Sequence, residues 1–289
     1  MIAGPAIFAW PLLAAQLLIF GTAAFALMTA GLAPGDRIVL HRRLAIVWRA
    51  LGLAILGFSP LAFVEMAAGM AQMSWWRVLP LLGEILGQTE AGRAWRWRFA
   101  VTALLAAAAW VPMRIRAAAL AMLPLAGALL LFGSITSHAI DFGSFSIAVD
   151  FIHQAGAALW IGALASMLLG CAEEPGRTRW IRAAAPRVSA IAASAVGILT
   201  VTGLYMAHER IGWKPHLMID AMYGRTLLWK LVTFGLVLTA AAQIRLRIIM
   251  RLEDSSAREI LIRNVAAECV LLAAVLGWSA ILANTPPPH

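Results

Sequence analysis

Uninterrupted apolar stretches of about 18 residues or more recur along this chain, and they constrain its fold more than any other feature. Each stretch is long enough to cross the hydrocarbon core of a bilayer as a helix. Only 13% of the residues are charged and 62% are hydrophobic, whereas soluble domains carry about 25% charged residues. The charged residues fall between the apolar stretches. The sequence therefore predicts an all-α integral membrane protein.

Eight membrane spans account for the apolar pattern. The first apolar segment is too long for a cleaved signal peptide, and no positive charge precedes Arg37, so we expect the segment to remain as the first span. The third span is short and begins beside three arginines. The predicted spans are approximately 6–30, 44–70, 97–113, 117–137, 149–170, 187–207, 226–246 and 264–283.

The basic residues are distributed unevenly between the two sides of these spans. With the N-terminus outside, fifteen of the 23 Lys and Arg residues lie in inner loops and eight in outer segments. Cytoplasmic loops are enriched in Lys and Arg, so this distribution predicts that both termini are periplasmic and that loop 171–186 is cytoplasmic. These residues orient helices and contact lipid headgroups. The net charge of +9 therefore does not indicate nucleic-acid binding, since no basic run is interleaved with exposed aromatic residues.

The two parts of the chain carry a matching segment. The pattern Gly-Arg-x-x-x-Trp, followed by a basic residue, occurs at 92–98 before the third span and at 224–230 before the seventh. An ungapped alignment of the ends of spans two and six sets Glu65 opposite His208. Four spans return the chain to the same side, so the match predicts a parallel repeat of two four-helix halves, 1–140 and 141–289, in one polytopic domain. Parallel repeats occur in transporters.

Histidines gather at the predicted outer face. An ionisable group within a span is costly unless it faces a cavity or a partner, so it marks a candidate site. His153 lies about one turn into span five from the outside, and His41 lies in the first inner loop. The remaining four are at outer ends or loops: His138, His208, His216 and His289.

Asp150 and His153 are three residues apart and therefore lie on one face of a helix. A carboxylate beside an imidazole can fix its tautomer and orient the other nitrogen toward a metal ion. The alternative is structural: His153 hydrogen-bonds a neighbouring helix and Asp150 caps the helix N-terminus. The residues alone leave both interpretations open.

Further ligands for such a metal site are available at the outer face. His138 and His208 are the candidate imidazoles, although a solvated loop residue and an interfacial cap are the alternatives for them. Met206 ends span six and Met66 begins a stripe that continues to Met70 and Met73. Thioethers and imidazoles together suit Cu(I), but methionine stripes also serve as adaptable packing.

Two cysteines and one carboxylate inside a predicted span lie outside this group of candidate ligands. Cys171 and Cys269 form no CxxC and no zinc spacing, and are predicted to be buried free thiols. Glu268, inside span eight, is expected to pair with an arginine such as Arg263, with an ion path as the alternative. The sequence has no Walker loop, strand-borne GxGxxG, HExxH or GxSxG motif, so we predict no enzymatic activity.

The segment DFIHQAGAALWIGAL, residues 150–164, resembles the CopD family of bacterial copper-resistance membrane proteins. That family typically has an acidic residue, a histidine and Trp-x-Gly in its fifth span. Segments 137–139 and 222–230 also resemble the family pattern, and the first half resembles it more loosely. The resemblance implies a protein of the bacterial inner membrane that moves copper ions between periplasm and cytoplasm. It also implies a periplasmic copper-binding partner resembling CopC.

Carried over by position, the resemblance implies His138 and His153 as copper residues, with Asp150 in support. The predicted copper site is therefore centred on His153, with His138, His208, Met206 and Met66 as further candidates. Competing hypotheses are a b-type cytochrome with haem held by His153 and His208, an assembly factor for a respiratory oxidase or metal centre, or a purely structural membrane subunit.

Overall fold

A computed structural model describes residues 7–28, 34–171, 177–212, 214, 216–243, 255–283 and 285. Across these residues the chain forms helices and turns without any strand. Seven of the helices are long and apolar enough to cross a membrane. The predicted all-α membrane fold is confirmed. His289 lies outside the described residues.

The bounds of the helices are α1 Ala9–Leu27, α2 Pro34–Ala71, α3 Trp75–Val78, α4 Leu82–Gln88, α5 Glu90–Ala108, α6 Ile115–Ile135, α7 Ser144–Gly170, α8 Arg177–Ile211, α9 Leu217–Asp220, α10 Met222–Gln243 and α11 Ser255–Ala283. Short 3₁₀ turns lie at Leu79–Leu81 and His138–Phe142. The seven membrane candidates are α1, α2, α6, α7, α8, α10 and α11.

The third predicted span, 97–113, overlaps α5, which lies outside the seven candidates. Its first turns carry Glu90, Arg93, Arg96 and Arg98, so the helix is less apolar than its neighbours. Helix α5 begins seven residues before the predicted span. Most other helices also extend beyond their predicted bounds, because a helix continues through the headgroup region while apolar sequence marks only the hydrocarbon core.

Helices α1 and α7 touch through their backbones at the centre of the bundle. A Cβ atom on Gly21 would lie 1.7 Å from the carbonyl oxygen of Ala158, and one on Gly162 would lie 2.1 Å from the carbonyl carbon of Gly21. Small residues of this kind let membrane helices approach closely. Trp48 is fully buried, and its indole N–H donates a 2.9 Å hydrogen bond to Thr22, the residue after Gly21.

The beginnings of α1 and α7 are each held by a carboxylate from the end of a long helix. Glu65 of α2 accepts hydrogen bonds from the backbone N–H groups of Ile7, Phe8 and Ala9, at 2.9, 3.3 and 3.1 Å. These are the free N–H groups of a helix N-terminus, which favour a negative partner. Glu209 of α8 accepts a 2.6 Å hydrogen bond from the hydroxyl of Ser146 in α7. Both carboxylates therefore fasten one helix to another.

Candidate metal site at the outer end of the bundle

A polar cluster joins α6, α7 and α8 at the end of the bundle where α7 begins, which we call the outer end. The Gln154 amide donates hydrogen bonds from Nε2 to Asp150 Oδ2 at 2.7 Å and to Ser134 Oγ at 3.0 Å. His153 Nδ1 lies 2.8 Å from Thr202 Oγ1. These five residues form the outer polar cluster.

The hydrogen bonds of Thr202 define the tautomer of His153. A threonine hydroxyl has one proton to donate, and Thr202 donates it to the carbonyl of Ile198 at 2.6 Å. The hydroxyl oxygen therefore accepts its second bond from His153, so Nδ1 carries the proton. The lone pair is left on Nε2, which makes no hydrogen bond with any residue that the structure describes. A neutral imidazole with a free lone pair is a metal ligand.

Both sequence interpretations of Asp150 and His153 are changed by this geometry. His153 does hydrogen-bond a neighbouring helix, as the structural alternative proposed, but the bond orients its other nitrogen as a ligand. Asp150 does not cap the helix, because α7 begins six residues earlier at Ser144. Its carboxylate bonds Gln154 rather than the imidazole. Thr202 therefore fixes the tautomer of His153, a role that the sequence predicted for Asp150.

Two basic side chains lie near the outer polar cluster. Lys230 of α10 is within electrostatic range of Asp150 and His153. Arg210 of α8 is within range of His153 and Lys230, and it hydrogen-bonds the side chain of Tyr223. The positive charges oppose a cation at His153, and the Asp150 carboxylate favours one. The cluster is therefore electrostatically balanced rather than strongly anionic.

His138 lies on the 3₁₀ turn between α6 and α7, and its ring is 3.7 Å (Nδ1 to Oδ2) from Asp141. The ring also lies beside the carbonyl of Ala283, at the end of α11. Burial, followed by the Arg210 guanidinium, lowers the pKa of His138, and Asp141 opposes this effect. The imidazole is therefore neutral at pH 7, the form that binds metals. Arg210 is within electrostatic range of both His138 and His153.

The other predicted ligands occupy different environments. Met206 is buried one turn beyond Thr202 on the same face of α8. His208 is exposed and six residues from Thr202, which sets it on another face of α8. Met66 is partly buried in the hydrophobic core beside Glu65. Among the described residues, neither His208 nor Met66 makes a hydrogen bond or an ion pair with His153.

The remaining candidates are dispersed. Met70 and Met73 are exposed, so the methionine stripe does not converge on the cluster. Neither Cys171 nor Cys269 is in a disulfide, and Cys171 is buried as predicted whereas Cys269 is half-buried. In the part of the chain that the structure describes, no group of three His, Cys, Asp or Glu side chains is arranged to hold a metal ion.

Sequence reasoning missed Ser134, Gln154 and Thr202. Gln154 lies four residues after Asp150, a spacing at which helical side chains meet, so this contact could have been predicted from the sequence. Thr202 is 49 residues from His153, and nothing local in the sequence indicates that pairing.

Comparison with known families identifies both parts of the chain. Residues 182–282 match the family described as copper resistance protein D, and residues 3–146 match the N-terminal domain described as copper resistance protein D-like. No curated protein and no solved structure matches the chain. The two family matches lie in order along the chain and together span most of it. The chain is a copper-related, multi-pass membrane protein that belongs to the CopD family.

Proposed function

We propose that this protein carries copper ions across the bacterial inner membrane, and that His153 binds the ion near the periplasmic face. The observation that carries the proposal is the bond between His153 and Thr202, because it leaves Nε2 as an oriented, unprotonated donor. Copper is the cargo in this proposal. The direction of movement depends on the copper gradient and on the partners at each face.

The charges around His153 suit a site through which copper ions pass better than a site that stores them. Ion conduction requires a site that binds well enough for entry and weakly enough for release. Lys230 and Arg210 oppose a bound cation, while Asp150 attracts it. His138 supplies a second neutral imidazole at the same end of the bundle, and the buried Met206 supplies a thioether on the Thr202 face of α8. Imidazole and thioether donors suit copper.

We propose that α5 is the eighth span, so that the protein has four helices in each half. The packing of α5 supports this. At its middle, Arg98 donates a 3.2 Å hydrogen bond to Thr136, at the outer end of α6. Just after its last residue, the Ala109 carbonyl accepts a 3.3 Å bond from Arg49 of α2. The second half of α5 is therefore bonded to α6 at the outer end of the bundle and to α2 farther in.

The proposed parallel repeat is supported by the two Gly-Arg segments. A Cβ on Gly92 would lie 2.0 Å from the carbonyl oxygen of Ile85, and one on Gly224 would lie 2.0 Å from that of Leu217. Each of these carbonyls is seven residues before its glycine, in the short helix that precedes α5 or α10. In each half, the equivalent glycine therefore lets a short helix pack closely on the long helix that follows it.

With eight spans, both termini lie on the periplasmic side, and the connection between α7 and α8 is cytoplasmic together with the first turns of α8, because residues 177–186 of the predicted loop are helical. We expect a cysteine that replaces the exposed Arg179, in a chain with Cys171 and Cys269 changed to alanine, to resist a membrane-impermeant thiol reagent in intact cells. A cysteine at the exposed Arg93 is the matched control and should be labelled. Labelling at position 179 with no labelling at position 93 would show that the protein has the opposite orientation in the membrane.

Copper flux in proteoliposomes tests the proposed function. We expect the wild-type protein to move radiolabelled copper down its gradient faster than protein-free vesicles, and His153→Ala to reduce this flux to the protein-free rate. His208→Ala is the matched control on an exposed histidine and should retain the wild-type rate. A periplasmic copper-binding partner resembling CopC is expected to deliver or receive the ion at the His138 end. Equal flux through wild-type and protein-free vesicles contradicts transport.

A further inference from the structure

A cavity of about 280 Å³ lies between α7, α8, α10 and α11, on the side of Trp160 away from the outer polar cluster. Its walls are largely apolar and include Val188, Leu238 and Val265. The lining residues lie at 185–196 of α8, at 238–242 in the last turns of α10 and at 261–268 in the first half of α11. Among the described residues that line the cavity, one is charged, the carboxylate of Glu268.

Glu268 has one hydrogen-bond partner among the described residues. The indole Nε1 of Trp160 donates to its Oε1 at 2.8 Å. The expected pairing with Arg263 is wrong, since Arg263 is exposed and Glu268 is only 2% exposed. The second oxygen, Oε2, has no partner in the described part of the chain. The carboxyl group is therefore buried beside the cavity with one of its two oxygens unbonded in the described part of the chain.

Among the described residues, the groups around Glu268 provide no countercharge. Helix α7 presents the Trp160 indole, α8 presents the Ser189 hydroxyl, and α10 presents apolar side chains to the cavity. On α11 itself, the neighbouring titratable group is the thiol of Cys269. An ionised carboxylate in such surroundings is strongly disfavoured unless a cation or a proton joins it.

We propose that Glu268 is a proton-binding site, loaded and unloaded through this cavity, and that its proton movement is coupled to the passage of copper. In the binding step, a proton that enters the cavity from solution as hydronium binds Oε2 and leaves neutral water, and the carboxylate becomes a neutral acid while Trp160 keeps its bond to Oε1. Among the described residues that line the cavity, this carboxylate has no imidazole or thiol beside it, and it suits a proton better than a copper ion. The coupling rests on the proposed copper transport, whereas proton binding does not.

Trp160 connects this site with the outer polar cluster. It follows His153 by seven residues, two helical turns on the same face of α7 and about 10 Å along the axis. Its ring meets Phe234 of α10 edge to face, with centroids 6.1 Å apart. Along α7, Trp160 therefore lies between the cluster and the cavity, and its N–H group donates to Glu268. A change in the charge of Glu268 therefore acts directly on Trp160.

Infrared difference spectroscopy between high and low pH, on purified protein without copper, tests the proton site. We expect the wild-type protein to show a carbonyl stretch from a buried protonated carboxyl group that Glu268→Gln removes. Glu90→Gln, at an exposed carboxylate 2.9 Å from Arg93, is the matched control and should retain the band. Trp160→Phe should move the band, because it removes the hydrogen bond to Oε1. An unchanged band in both Glu268→Gln and Trp160→Phe overturns the site.

Proteoliposomes with an internal pH dye test the coupling. Copper entry through the wild-type protein should change the internal pH, and Glu268→Gln should abolish that change. Copper flux without proton movement in the wild-type protein overturns the coupling while copper transport stands. Absence of any copper flux contradicts the proposed function, and the infrared band then still decides whether Glu268 binds a proton.

Discussion

Replacing Gly162 by alanine is expected to be, together with Gly21→Ala, among the most destabilising single-methyl changes in the described membrane core. The added Cβ would lie 2.1 Å from the backbone of Gly21, so α1 and α7 must separate along their contact. Overpacking a well-packed core typically costs about 1–3 kcal/mol, and a clash between two backbones cannot be relieved by rotating a side chain. We expect a loss at the upper end of this range or beyond.

Unfolding of the purified variants in one detergent, followed by heat or by added SDS, measures this effect. Gly197→Ala is the matched control, because no atom lies within 4 Å of the position where its Cβ would be. Alanine there should be neutral or stabilising, since glycine in a helix interior costs up to about 1 kcal/mol relative to alanine. Equal stability of the two variants would show that α1 and α7 do not touch through their backbones.

The centres of the membrane helices followed from the sequence, because hydropathy is a local property that each segment carries by itself. Span 149–170 corresponds closely to α7, Ser144–Gly170. Helix ends were less accessible to this reasoning. Helix α8 begins at Arg177, ten residues before the predicted span, because basic side chains can extend toward the headgroups without ending a helix.

The site was only partly predictable, and the reason is geometric. The Asp150–His153 spacing identified the correct helix face, since both residues belong to one helix. Which neighbours that face meets depends on how α6 and α8 are rotated against α7, and sequence spacing does not contain this rotation. Thr202 was missed for this reason, and Glu268 was assigned to Arg263 on its own helix although its partner Trp160 is 108 residues away.

Removing the His153 imidazole is expected to have the largest effect on copper binding. Its Nε2 is the donor that the Thr202 bond leaves free, so His153→Ala removes the central ligand of the proposed site. Thr202→Val keeps the side-chain shape but removes the bond that fixes the tautomer. Loss of such a supporting hydrogen bond typically weakens metal affinity by about 10–100-fold, so His153→Ala should cost more than Thr202→Val.

Charge variants separate a copper site from a structural histidine. Asp150→Asn removes the nearby negative charge and should weaken copper binding, whereas Lys230→Gln removes a nearby positive charge and should tighten it. His138→Ala should weaken binding, and because burial lowers the pKa of His138, its contribution should persist below the pH at which an ordinary histidine becomes protonated. A histidine that only joins α7 to α8 would give no copper response to any of these changes.

Copper titration of purified wild-type, His153→Ala and His208→Ala proteins, at matched concentration and folding, is the most direct test of the account. It predicts that wild-type and His208→Ala bind copper with the same stoichiometry and affinity, and that His153→Ala loses the site. Unchanged stoichiometry and affinity in His153→Ala would contradict a copper site at His153, whatever the other variants do.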